Sequence, residues 1–215
     1  MFSPMGFVKS ASKFCEFLQV TADTVNGTTF TFSAQNLGAA AADRYIHVAV
    51  FGREGSPPNP TQLSSVTVGG VTATINIQQT DGDRETVAIV TAAVPTGTTG
   101  NIVVTWAESH DNCEVAVYRS LGLITAVAID TDSSTADPGT ATLTALAGGF
   151  CIGAATQRAV GSATWSGGVA EDYDAAAEAN YFYTGAHGAT GGASISPSCD
   201  YADTDSLRRA VFATF

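Results

Sequence analysis

Turn signals recur roughly every 10–16 residues along this chain, and between them apolar side chains fall at alternate positions. That pattern excludes long helices more firmly than anything else in the sequence. Its clearest instance is Val66 and Val68, then Gly69-Gly70, then Val71, Ala73, Ile75 and Ile77. Two period-2 runs around two glycines predict a hairpin with a tight turn, its six apolar residues on one face toward a core. The strands TTFTFSAQ (28–35), YIHVAVF (45–51) and the run Cys113, Val115, Val117 read the same way. After residue 20 only DAAAEA (174–179) has helical character, and it is too short to stand alone.

The segments GREGSPPNPTQ (52–62), TDGDR (80–84) and PTGTTG (95–100) read as exposed connectors. About thirteen short strands joined by Gly-rich turns predict an all-β protein: a two-sheet antiparallel β-sandwich, jelly-roll-like, with an N-terminal extension. No low-complexity linker divides the chain. The expected organisation is therefore a docking segment over residues 1–19 and a single sandwich over 20–215.

Hydrophobic residues make up 45% of the chain, enough for a core, whereas charged residues are only 13%. The polar surface must come from Thr, Ser, Asn, Gln and Gly, a habit of β-rich extracellular and virion proteins. The net charge of −11 repels phosphate backbones and anionic lipid, so neither nucleic acid nor membrane insertion is expected. No stretch approaches the length of a membrane span, and the first twenty residues lack the continuous apolar region of a secretory signal. The four cysteines (Cys15, Cys113, Cys151, Cys199) show no metal-ligand spacing, and Cys113 and Cys151 read as buried thiols.

Catalytic signatures are missing. His47 lies in an apolar strand and reads as a satisfied core histidine; His110 falls in the turn SHDN and His187 in the loop TGAHGATGG. No nucleophile elbow or phosphate-binding glycine motif occurs, so no catalytic residue and no cofactor is expected. The pairs Asp81/Asp83, Asp130/Asp132 and Asp203/Asp205 supply two oxygens each where calcium wants six to eight, and no metal site is expected. The best polar constellation is Glu171, Asp172 and Asp174 around Tyr173, following Trp165. Aromatics beside acids can form a sugar-binding face, and paired carboxylates can hydrolyse glycosides. They serve equally well as a covered sheet edge with solvated acids.

The first eighteen residues differ from the rest. They hold both methionines, both lysines and four of the eleven phenylalanines: Phe2, Phe7, Phe14 and Phe17. These rings suit either a lid on the sandwich or an anchor inserted in a partner.

The runs TFTFSAQNLGAAAADRYIHVAVFGR, SVTVGGVTATINIQQ and VPTGTTGNIVVTWAESHDNCEVAVYR resemble a group of bacteriophage and prophage proteins. So do WSGGVAEDYDAAAEANYFYTGA and the closing RRAVFATF. Members of that group are encoded among virion genes of phages infecting alphaproteobacteria. The likeness spans about residues 20–215 and rests on hairpin and core patterns. It implies a non-enzymatic virion protein, in the tail fibre or tail tip, attached through the N-terminal segment and assembled in the host cytoplasm. Expected partners are other virion proteins, further copies of the chain and a host-surface glycan. The rival expectations are a capsid decoration protein and a carbohydrate-active or lectin-like domain.

Overall fold

The computed structural model describes residues 13–54, 62–80, 84–158, 161–178, 181–202 and 207–215. Its elements are all strands. The first half contains β1 (Phe14–Asp23), β2 (Gly27–Asn36), β3 (Tyr45–Arg53), β4 (Leu63–Val68), β5 (Val71–Thr72), β6 (Thr74–Thr80), β7 (Glu85–Ala93), β8 (Thr99–His110) and β9 (Asn112–Leu121). They form a five-stranded sheet, β1-β9-β3-β7-β6, and a four-stranded sheet, β2-β8-β4-β5.

The second half contains β10 (Asp130–Ser134), β11 (Gly139–Thr140), β12 (Leu143–Thr144), β13 (Gly149–Arg158), β14 (Ala163–Ser166) and β15 (Ala170–Glu178). It continues with β16 (Tyr181–Thr190), β17 (Ser194–Ile195), β18 (Ser198–Tyr201) and β19 (Arg208–Thr214). Its main sheet runs β10-β19-β13-β16-β15, faced by the small sheets β11-β18-β14 and β12-β17. Every pairing is antiparallel.

The antiparallel all-β expectation holds, and sandwich packing occurs in each half. Three apolar cores show how the sheets stack. Val48, Val50, Val90 and Val115 of the first five-stranded sheet meet Phe30, Phe32, Val66 and Trp106 of the four-stranded sheet. From the opposite face of that five-stranded sheet, Phe51, Ile89, Ala116 and Tyr118 meet Ile152, Tyr173, Tyr183 and Val211 of the second half. Beyond lies a third core, where Phe182 and Phe212 meet Leu143, Trp165 and Ile195. The result is four β layers. Both five-stranded sheets are therefore covered on each face, which explains why β3 (YIHVAVFGR) carries apolar residues at consecutive positions.

The Gly-Gly hairpin forms as expected, with Val68 opposite Val71 and φ of +58° at Gly69 and +82° at Gly70. Positive φ at both central residues is the two-residue turn that matches strand twist, and glycine adopts it without a Cβ clash. The expected single face is corrected. Val66, Val68 and Ala73 are buried in the first core, but Val71 is exposed. Ile75 packs on the first core and Ile77 on the second. A bulge between those two residues inverts the alternation, and β6 crosses to pair with β7 instead of prolonging the hairpin.

The stretch DAAAEA is likewise not helical. Its described part lies in β15, where pairing with β16 supplies the backbone hydrogen bonds that alanine propensity would have placed in a helix.

Two glycines separate strain from steric clash. At Gly70 an added Cβ meets nothing within 4 Å, so Gly70→Val should cost only the positive-φ strain, about 1–3 kcal/mol. At Gly52 a Cβ would stand 2.3 Å from Trp106 Cζ2, so Gly52→Ala should lose about 1–3 kcal/mol by overpacking and perturb the near-UV signal of that indole. Urea melts with near-UV circular dichroism distinguish the two mechanisms, because Gly70→Val should leave the indole signal unchanged.

Candidate functional site

Phe2 and Phe7 lie outside the described residues, as do Asp81, Asp83, Asp203 and Asp205. Phe14 and Phe17 sit on β1, an edge strand paired with β9, so the strand runs across the expected boundary at residue 19. The Phe14 ring is partly exposed at the strand's start. Phe17 points inward between the halves, stacked on Tyr173 at 5.4 Å and tilted against Tyr118 at 5.4 Å.

The sugar-face residues do not converge on one surface. Trp165 is 7% exposed in the outer core of the second half, where its Nε1 donates to Thr184 Oγ1 at 2.8 Å. Tyr173 is 8% exposed on the other side of the same sheet, between the halves. Neither ring is available to stack on a sugar. Glu171 and Asp174 remain in solvent. Asp172 is different: the β15–β16 register shifts between Glu171 and Tyr173, and that bulge turns its carboxylate toward His187 Nδ1 at 2.7 Å. His187 is on β16, not in a loop. The Asp172 hydrogen bond raises the His187 pKa against the opposing effect of burial, and the ring also bonds the backbone of Cys15 on β1. The three elements make a clasp that fastens edge strand β1 of the first half to β15 and β16 of the second.

Cys15, His187 and aspartate do not amount to a nucleophilic site. Burial pushes the Cys15 thiol well above its usual pKa, and His187 Nδ1 is already committed to Asp172. His47 is spent in the same way. Its Nδ1 lies 2.9 Å from Thr91 Oγ1 and its Nε2 2.8 Å from Ser120 Oγ, so both ring nitrogens face hydroxyls. Complete burial holds it neutral, with a pKa of about 3. His110, lowered to about 4 by burial, is stacked on Trp106 at 4.1 Å. Cys113, Cys151 and Cys199 are buried free thiols with raised pKa values. Asp130 is occupied with the amides of Thr131 and Thr144 at 2.9 and 2.7 Å.

Two groups escaped sequence reading. Glu114 is buried on the face of β9 that looks into the second half, and desolvation raises its pKa to about 8. Among the described residues its Oε1 has no hydrogen-bond partner. Around it lie Asn112, whose Oδ1 accepts from Tyr183 at 3.0 Å, and Arg53, whose guanidinium stands 3.7 Å above the Tyr181 ring. The alternation in CEVAVY (113–118) placed a glutamate at a core-facing position of a strand covered on both sides, which was the available signal.

The other is Arg44, which is 1% exposed. Its Nε donates to Val94 O at 2.6 Å, Nη1 to Leu37 O and Gly38 O at 3.1 and 2.9 Å, and Nη2 to Thr96 O and Gly97 O at 2.7 Å each. One guanidinium thus ties the β2–β3 connection to the β7–β8 connection. Above them is an open groove of about 400 Å³ lined by Leu37, Gly69, Gly70, Val94, Pro95 and Gly97, among others, with no charged side chain.

Other arginines are also drawn inward. Arg119 pairs with Glu16 at 2.7 Å and Arg208 with Asp137 at 3.3 Å, while Arg209 is buried. Acidic side chains therefore dominate the charge on the described surface.

Comparison with protein-family models, with curated proteins and with solved structures finds no match. Fold and side-chain chemistry together define a class: an all-β protein of stacked antiparallel sheets in which Arg44 ties two connections and Asp172 holds His187 across neighbouring strands.

Proposed function

We propose that this chain is a non-enzymatic structural module of a bacteriophage virion, a tail-fibre or tail-tip component attached through its N-terminal segment. One observation carries the non-enzymatic part. The described histidines and the Cys15 thiol are taken up in packing: His47 with two hydroxyls, His110 on the Trp106 ring, His187 with Asp172, and Cys15 within β1. The placement in a virion rests on the resemblance over residues 20–215. Strand orders β1-β9-β3-β7 and β2-β8-β4-β5 support reading the first half as a jelly-roll variant, an architecture common in capsid and lectin domains. The inward use of arginine leaves an acidic surface that resists nonspecific association at high local concentration.

A capsid decoration role is the second reading, since a stiff multilayer slab also suits a brace between capsomers. Burial of Trp165 and Tyr173 weighs against the lectin-like reading, leaving a host glycan as a partner only for other loops.

Immunogold labelling of particles should place the protein at the tail, a few to tens of copies each; labelling over the whole head would transfer it to the decoration class. Deleting residues 1–12, which precede β1, should leave the urea midpoint of the β signal unchanged and abolish co-sedimentation with particles. Retained co-sedimentation would sink the anchoring role.

A further inference from the structure

We infer that residues 14–121 and 130–215 are two copies of one sandwich, and that the packing between them is a two-fold dimer interface carried within a single chain. The strand orders carry the first part. The first half's main sheet is β1-β9-β3-β7-β6; the second half's is β10-β19-β13-β16-β15. Matching β1 with β10, β3 with β13, β6 with β15, β7 with β16 and β9 with β19 turns one order into the other without a change. The outer layers agree as well. Order β2-β8-β4 corresponds to β11-β18-β14, and the small sheet β12-β17 continues the β2-β8 ladder where the second copy is interrupted. In both halves the chain alternates between inner and outer layers in the same sequence.

The two outer cores are filled alike, though from different outer strands: Trp106 stands on β8, the counterpart of β18, and Trp165 on β14, the counterpart of β4. The chain has two tryptophans, one per half, each in the core between an inner and an outer sheet. Each lies over a glycine on the matching inner strand. A Cβ at Gly52 of β3 would stand 2.3 Å from Trp106, and one at Gly153 of β13 would stand 2.5 Å from Trp165.

Two-fold packing follows from which strands face one another. Strand β1 lies against β15, and its counterpart β10 lies against β6. Phe51 of β3 stacks on Tyr183 of β16 at 4.9 Å, while β13 lies against β7. Tyr118 of β9 meets His187 of β16 at 5.9 Å, while β19 lies against β7. These three facing relations thus occur in both directions, as an isologous contact demands, whereas β19 against β6 and β1 against β16 are closer than their counterparts. The polar groups have diverged, with His47 and Glu114 on one side and Asp172 and His187 on the other, so the surviving contact is specific for the unlike half. The occupant of each inner face is the other half of the same chain.

A specific protease site inserted between Ile124 and Thr125, on the exposed link between the halves, tests this in the full chain. After cleavage the two fragments should co-elute in a 1:1 ratio in buffer. In urea their separation should depend on protein concentration and precede exposure of Trp106 and Trp165, because each indole reports a core internal to one half. Phe51→Asp places a carboxylate in the contact and should weaken association of the cleaved fragments at least about tenfold, with indole emission in buffer unchanged. Simultaneous loss of association and of both indole signals at every concentration, in the cleaved chain without that substitution, would overturn the inference. So would fragments that never associate.

Discussion

Arg44→Met should destabilise the protein by about 3–5 kcal/mol, the largest single-residue effect expected away from the apolar cores. The side chain supplies all five guanidinium N–H donors to five carbonyls on two connections, and no carboxylate takes part. Methionine fills similar volume but donates nothing, which leaves buried carbonyls of Val94 and Leu37 without that partner. Each orphaned group costs about 1–3 kcal/mol, partly recovered where Thr96 and Gly97 can reach water. Arg44→Lys keeps the charge with three donors on a point, so it should recover less than half of the loss. Urea melts of the three proteins settle the matter: equal stability of the methionine variant and the parent would show that the loops hold themselves. The same melts report on the groove above Arg44, since its lining residues depend on this tie.

Glu114→Gln should act in the opposite direction and stabilise the protein by about 3 kcal/mol at pH 7. Burial raises the Glu114 pKa from 4.5 to about 8, so the folded chain retains a proton that the unfolded chain releases. Relative stability is then present in full below pH 4.5 and is lost as pH rises toward 8. At pH 7 the interval above 4.5 is about 2.5 pH units at about 1.4 kcal/mol each. Glutamine keeps the size and the neutral polar head, so the comparison isolates ionisation. Its advantage should vanish near pH 4.5 and grow until about pH 8. A variant that is less stable at pH 7 would show an ionised Glu114 held by a partner cation.

The acid limb of the same profile belongs to histidine. His47 and His110 have folded pKa values of about 3 and about 4, below the 6.5 of a free imidazole. Their contribution is present above pH 6.5 and is lost as pH falls through those values. Two imidazoles outweigh one carboxyl between pH 4.5 and 6.5, so these three groups together place the stability maximum near pH 6.5.

The alternation of Val66, Val68, Ile102 and Val104 and the glycine pair at 69–70 were enough to specify strands, turns and an antiparallel all-β class, because side-chain direction in a strand and positive φ are local properties. The core role of His47 was legible for the same reason, from apolar neighbours on both sides. What the sequence could not specify was which sheet a strand enters or what covers its second face. A single bulge at Asn76 sends Ile75 and Ile77 into different cores, and one at Asp172 turns a surface acid onto His187. Trp165 and Tyr173, eight positions apart, are separated by an entire sheet. Burial of Glu114 and the tying of two loops by Arg44 depend on residues 50 or more positions away, and Arg44 reaches Val94, Thr96 and Gly97 only once β3 and β7 have paired. Period and turn chemistry are written in neighbouring residues; layer assignment, electrostatics and the meeting of the two halves arise only when distant strands exclude water between them.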